Sequence, residues 1–159
     1  MAGITFTVEL STEAAAQALS DLADPMARPI GFYRSAGAYL VDIAIPRNFS
    51  TESEPDGTPW AVLSPLTVAR RGSTGPILRA TGRMAASIVS QVSGTSLRIG
   101  SPVEQAAVMQ LGAAQGAFGR TSRGGPIPWG TIPARPFLGL SGADEVEIIK
   151  IAEDWLEVE

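Results

Sequence analysis

The sequence predicts a single α+β domain over residues 1–159. N-terminal helices and a C-terminal helix are expected to pack on a small antiparallel β-sheet, with long loops between them. Three observations lead there. Apolar residues alternate with period two at residues 4–10 and on both sides of Ser93-Gly94-Thr95-Ser96. Apolar residues recur at helical spacing at both ends of the chain. Two stretches, 50–76 and 112–131, are dominated by helix and strand breakers.

Taken in order, Ile4, Phe6, Val8 and Leu10 line one face of a half-buried strand. Ser11 or Thr12 then caps a helix running through Ala14 to Leu22. Asp24-Pro25 interrupts it and suits the start of a second helix. The regular part of that helix is expected from near Pro29 to about Ile45. Its buried side is read as Ile30, Tyr33, Leu40, Ile43 and Ala44, and Pro46 is expected to end it.

Residues 50–76 read as a long loop, with a short helix around Pro65 to Arg71. A short helical turn is expected over Leu78 to Met84, broken at Gly82. Ile88–Val92 and Leu97–Ile99 read as a hairpin. Pro102 opens a short helix that Gly112 closes. Residues 112–131 carry six glycines and few large apolar side chains, so they are expected to be mobile or ordered by a neighbour. Pro136–Leu140 is a strand candidate. Ser141 caps a last helix, with Asp144 and Glu145 in its first turn and Ile148, Ile149, Ala152, Trp155 and Leu156 as its apolar stripe.

Composition narrows the chemistry. The chain has neither cysteine nor histidine. Thiolate and imidazole metal sites, Ser–His–Asp triads and Cys–His pairs are therefore excluded. Paired carboxylates such as Glu52/Glu54 or Glu153/Asp154 are better read as solvated surface than as an acid–base pair. Gly124-Gly125 is followed by proline and lacks the Lys-Ser/Thr of a phosphate loop. No enzyme activity, cofactor or metal is expected. Met1-Ala2-Gly3-Ile4 begins no basic-then-apolar leader, and no apolar run approaches the roughly 20 residues that span a bilayer, so synthesis and retention in a cytoplasm without membrane partners is expected.

The net charge of −4 conceals a segregation. Residues 1–64 carry three arginines against eight carboxylates, a net −5. Residues 65–135 carry eight arginines against Glu104, a net +7, and residues 136–159 carry Lys150 against seven carboxylates, a net −6. Either these charges form complementary surfaces between like subunits or stacked rings, or they intermix on the folded surface. Arg70, Arg71, Arg79 and Arg83 are the best nucleic-acid candidates, but no aromatic residue lies between them to stack on a base.

Five pieces of the chain, in order, resemble one family. Glu54-Pro55-Asp56-Gly57-Thr58-Pro59-Trp60-Ala61-Val62-Leu63-Ser64 is similar to an acidic-Pro-Asp-Gly run with a following Trp and Leu. Ile77-Leu78-Arg79-Ala80-Thr81-Gly82-Arg83-Met84 resembles a Leu-x-x-Thr-Gly element, and Leu97–Ser101 a hairpin-closing strand. Ala107–Gly112 resembles a Tyr-Ala-x-x-His-Gln-x-Gly segment, departing from it at Ala106 and at Val108 or Met109. Ile132–Ser141 resembles a Pro-x-Arg-Pro-Phe-Leu-Gly signature. The family is that of phage virion morphogenesis, including the tail-completion proteins of Mu-like phages.

The resemblance implies a structural protein of the tail terminus or neck, located in the virion and in the host cytoplasm during assembly. Such proteins generally form rings, often hexameric, that complete the tail and join it to the DNA-filled head. The implied partners are further copies of the chain, the tail tube protein and the head–tail connector proteins. Genomic DNA would pass through the lumen without specific binding. An acidic lumen suits that passage, lined by the C-terminal helix or the carboxylates at 52–56; no single DNA-facing residue is assigned. The alternatives are a head-side adaptor of the neck and a nucleic-acid-binding module using the basic middle.

Candidate subunit-contact residues are Glu54, Asp56, Trp60, Arg135 and Phe137. Residues 50–76 and 112–131 are the loops expected to order on assembly. For Trp60 the favoured reading is the pin that holds its loop to the chain's own core, ahead of a subunit contact. Pro133 and Pro136 stiffen the backbone around Arg135, with Phe137 and Leu138 as anchors; this reads either as presenting its guanidinium to a carboxylate of the sheet or of another subunit, or equally as a structural strand entrance.

Overall fold

The computed structural model describes residue 17, residues 29–94 and residues 96–158. The strand expected at Ile4–Leu10 and the helices expected between Ser11 and Pro29 lie outside the described residues. The rest is α+β: helices around one two-stranded antiparallel sheet.

Helix α1 (Ile30–Tyr39) passes through a π turn (Leu40–Ala44) directly into α2 (Ile45–Thr51). Pro46, expected to stop the helix, instead sits in the first turn of α2. A proline costs a regular helix one hydrogen bond and crowds the preceding turn. Here the ladder is already opened, because the Ile45 N–H reaches back five residues to the Leu40 carbonyl. The wider turn also rotates the buried face. Ala36, Gly37, Leu40, Ala44, Ile45, Asn48 and Phe49 are buried. Ile30 and Ile43, expected inside on a strict 3.6-residue period, are exposed, and Tyr33 is half-buried.

The 50–76 loop contains α3 (Pro65–Arg71), as expected. The Ser64 hydroxyl accepts the Thr67 N–H at 3.2 Å, Pro65 opens the first turn, and Gly72 closes the helix. Arg70 and Arg71 stand in its last turn, where cations suit the helix dipole. Leu78–Met84 forms turns, and the helical turn is a short 3-10 segment just beyond, Ala85–Ser87.

Strands β1 (Val89–Ser93) and β2 (Ser96–Gly100) pair antiparallel, Val89 opposite Gly100 and Ser93 opposite Ser96. The hairpin packs on α1. Gly37 permits the approach, since a Cβ there would lie 3.1 Å from the Leu97 side chain. Helix α4 (Gln105–Leu111) follows, then a long arm, an extended segment and α5 (Gly142–Val158). The core is Ile45, Phe49, Trp60, Ile77, Ile88, Ala106 and Phe137. The Phe49 ring meets Phe137 at 5.3 Å between centroids and Trp60 edge-on at 5.6 Å.

Helix α5 is tied to the α1–α2 run by one buried carboxylate. Ser141 and Asp144 form a reciprocal cap: the Asp144 N–H donates to Ser141 Oγ, while Ser141 N–H and Oγ–H both donate to Asp144 Oδ2. Arg47 donates to both oxygens of Asp144 from α2, at 3.1 and 2.7 Å, and the Tyr39 hydroxyl donates at 2.7 Å. Asp144 is fully buried. Burial opposes its ionisation, but these donors outweigh it and hold the carboxyl well below the usual carboxylate range. Further along, Trp155 of α5 packs near Phe32 and over Gly31 of α1.

Two outcomes follow. Arg47→Ala leaves Asp144 buried without its cation and should cost about 3 kcal/mol in urea unfolding. Because the folded pKa of Asp144 lies below its unfolded value of about 4, its contribution is complete above that value and disappears as pH falls through the folded one. Asp144→Asn should therefore flatten the acid limb of a stability–pH curve; an unchanged limb would contradict this assignment.

Candidate functional site

The segment Ile132–Ser141 forms no strand, contrary to the expectation for Pro136–Leu140. Pro133 and Pro136 lack the N–H groups a ladder needs. The polar main-chain groups of residues 136–138 are instead met by side chains from three other parts of the chain. Gln110 of α4 acts like a peptide group on an adjacent strand. Its Oε1 accepts the N–H groups of Phe137 and Leu138, both at 3.0 Å, and its Nε2 donates to the Leu138 carbonyl at 2.9 Å. Asn48 Nδ2 of α2 donates to the Phe137 carbonyl, and Trp60 Nε1 donates to the Pro136 carbonyl. The Arg135 N–H reaches the Met109 carbonyl at 2.7 Å. Gly112 lets the chain leave α4 beside this segment: its φ is +73°, and a Cβ would come within 2.8 Å of the backbone at Ile132 and Ala134.

Arg135 itself is buried, at 6% exposure. Its Nε donates to the Ala61 carbonyl at 2.7 Å and its Nη2 to the Val62 carbonyl at 3.0 Å. Burial draws its pKa below the ordinary guanidinium value. The partner expected for Arg135 was a carboxylate; the structure supplies two carbonyls of its own chain, which stitch the signature to the loop after Trp60. Trp60 and Phe137 are likewise buried in this chain's core. Among the expected subunit-contact residues, only Glu54 and Asp56 reach solvent. They form a tight turn: Asp56 Oδ1 accepts the Thr58 N–H, Gly57 has φ +91°, and Glu54 N–H donates to the Thr58 carbonyl. The Thr58 hydrogen bond lowers the Asp56 pKa. Neighbouring Glu52 uses its carboxylate to accept the Ile77 N–H.

Asn48 and Gln110 carry much of the segment but were not among the expected site residues. Asn48 had a legible signal, a lone amide on the apolar face Leu40–Ala44–Phe49. Gln110 stood inside a matched piece without a role.

The arginines of the basic middle are dispersed. Arg71 donates to the Pro76 carbonyl and Arg120 to the Gly124 carbonyl, while Arg70, Arg79, Arg83, Arg98 and Arg123 are exposed. Among the described residues the one ion pair is Arg47–Asp144. Among the described residues, then, no arginine of the basic middle makes a direct ion pair with a carboxylate.

Residues 113–132 form an arm bonded to itself. Ala113 pairs with Ile132 and Arg120 with Pro126. Between them Gly116 N–H donates to Pro128 O, Phe118 N–H to Ile127 O, and Ile127 N–H to Gly119 O. Local hydrogen bonds thus supply the order expected from a neighbour. They leave Phe118 and Trp129 exposed, Trp129 at 74%.

Truncating the segment's supports should be costly. Phe137→Ala should destabilise by about 4 kcal/mol. Gln110→Ala, which orphans the Phe137 and Leu138 N–H groups together, should cost about 2–3 kcal/mol. Arg135→Lys should not restore what Arg135→Ala loses, because an ammonium cannot reproduce the two-pronged grip on successive carbonyls. Urea denaturation of each variant measures these changes.

A search of curated proteins found no match to the chain, and a search of solved structures found none. The family model for phage virion morphogenesis matches residues 10–157. That span takes in every described element but the last residue of α5, with the whole side-chain-bound segment, and the chain belongs to the phage virion morphogenesis family.

Proposed function

We propose that the chain is a non-catalytic protein of the tail terminus or neck, and that copies of it form a ring that completes the tail and joins it to the filled head. The family match over residues 10–157 carries this reading. Three features of the chain support it. The most strongly perturbed carboxylate, Asp144, is fastened ionised inside a structural network and is poorly suited to proton transfer. The unpaired charges are of opposite sign in different elements, as subunit docking requires. Large apolar side chains stand exposed on several elements: Val62 and Leu66 around the start of α3, Phe118 and Trp129 on the arm, and Val146 and Ile149 on α5.

In such a ring the DNA would pass an acidic lumen. Of the two acidic candidates, the turn at Glu54–Asp56 fits better. The exposed face of α5 carries Val146 and Ile149, which a water-filled channel would leave uncovered. The ring's other partners would be the tail tube protein on one side and head–tail connector proteins on the other, with a head-side adaptor as the nearest alternative position.

Removing the gene from the phage should leave filled heads beside separate tails. Normal particles would contradict the proposal. A ring image whose channel is lined by arginines would contradict the acidic lumen.

A further inference from the structure

Resting on the ring reading, we infer that the arm of one copy docks on the exposed face of α5 of the next copy. The arm is a cationic apolar surface. Phe118, Ile127 and Trp129 are exposed on it, Arg120 and Arg123 stand at its tip, and residues 113–132 contain no carboxylate. Trp129 is held ready: its ring packs close over Gly125, where a Cβ would lie 3.3 Å from it, and most of the side chain remains open to solvent. A large exposed indole fixed by its own hairpin loses little entropy on docking.

Three other surfaces could receive it. Val62 and Leu66 precede and enter α3, whose last turn carries Arg70 and Arg71, so the arm would meet charge of its own sign. Ile30 and Ile43 lie on the α1–π run beside both Arg34 and Asp42, with no charge bias. On α5, Val146 and Ile149 are exposed on the same stripe as Glu145, Glu153, Asp154 and Glu157, with Lys150 as the one cation. This anionic apolar stripe matches the arm in both respects. Arm and stripe are different surfaces, so the contact is head-to-tail. Repeated by rotation such a contact extends past a dimer, and it closes a ring where the rotation divides a full turn.

The cysteine-free sequence makes the test free of background. The full chain carrying both Trp129→Cys and Ile149→Cys, assembled and oxidised, should give a ladder of covalent multimers on a non-reducing gel; neither single variant should pass beyond a dimer. Ile149→Asp, at an exposed position, should weaken assembly tenfold or more in light scattering while the monomer's melting temperature stays unchanged. If the wild type forms rings but the double variant gives no ladder and Ile149→Asp assembles normally, the arm–helix contact is overturned and the ring reading stands. If the wild type is monomeric throughout, both fall. Capture of the α5 stripe by the chain's own N-terminal residues would show as an oxidised double variant that runs as a monomer, which also overturns the contact.

Discussion

The structure depends on satisfying the backbone of a segment that cannot join a sheet. Residues 135–138 run along the core with prolines at 133 and 136, and Phe137 is fully buried among them. A peptide group left unpaired there would cost about 1–3 kcal/mol. The protein avoids that cost with Gln110, Asn48 and Trp60, drawn from α4, α2 and the 50–76 loop. Each of these elements is short or irregular. They hold together because they converge on one strip of main chain, and Arg135 closes the circle by gripping the carbonyls beside Trp60. The Arg47–Asp144 pair then fixes the last helix to the same α1–α2 run.

This constraint separates fold from function in the motifs. Arg135, a candidate contact residue in the sequence, faces inward and organises the chain, and Trp60 is the core pin that the sequence favoured. The groups left over for partners are the exposed aromatic arm, the acidic stripe of α5 and the Glu54–Asp56 turn. Belonging to a phage virion morphogenesis family is consistent with that division. The signature segment preserves the scaffold, and on the proposed reading assembly falls to the exposed surfaces.

Much of the fold was legible in the sequence, and the failures have physical causes. Ser64, Pro65 and Gly72 bracket α3, and Ser141 with Asp144 announces the cap of α5, because these are local signals. The hairpin followed from alternation around a Ser-Gly turn. Pro46 misled, because a π turn that opens the ladder ahead of it leaves no periodic trace strong enough to see. The arm's internal pairing was hidden for another reason: its glycines suggested a stretch either mobile or ordered by a neighbour, and main-chain hydrogen bonds leave no side-chain signal. The partners of Arg135 were hidden because carbonyl acceptors have no residue identity to read. Gln110 mimics a strand through its amide; its helical spacing from Val103 and Ala106 set it on their face but did not name what the amide would meet.

The central claim is that the signature segment serves the fold while the arm serves assembly. Amide hydrogen exchange, read residue by residue in the free and assembled protein, tests it most directly. Phe137 and Leu138 should exchange only through global unfolding in both states. Phe118 and Ile127 should exchange through local opening in the free chain and gain protection on assembly. Protection that rises at Phe137 and Leu138 on assembly, with the arm unchanged, would contradict it.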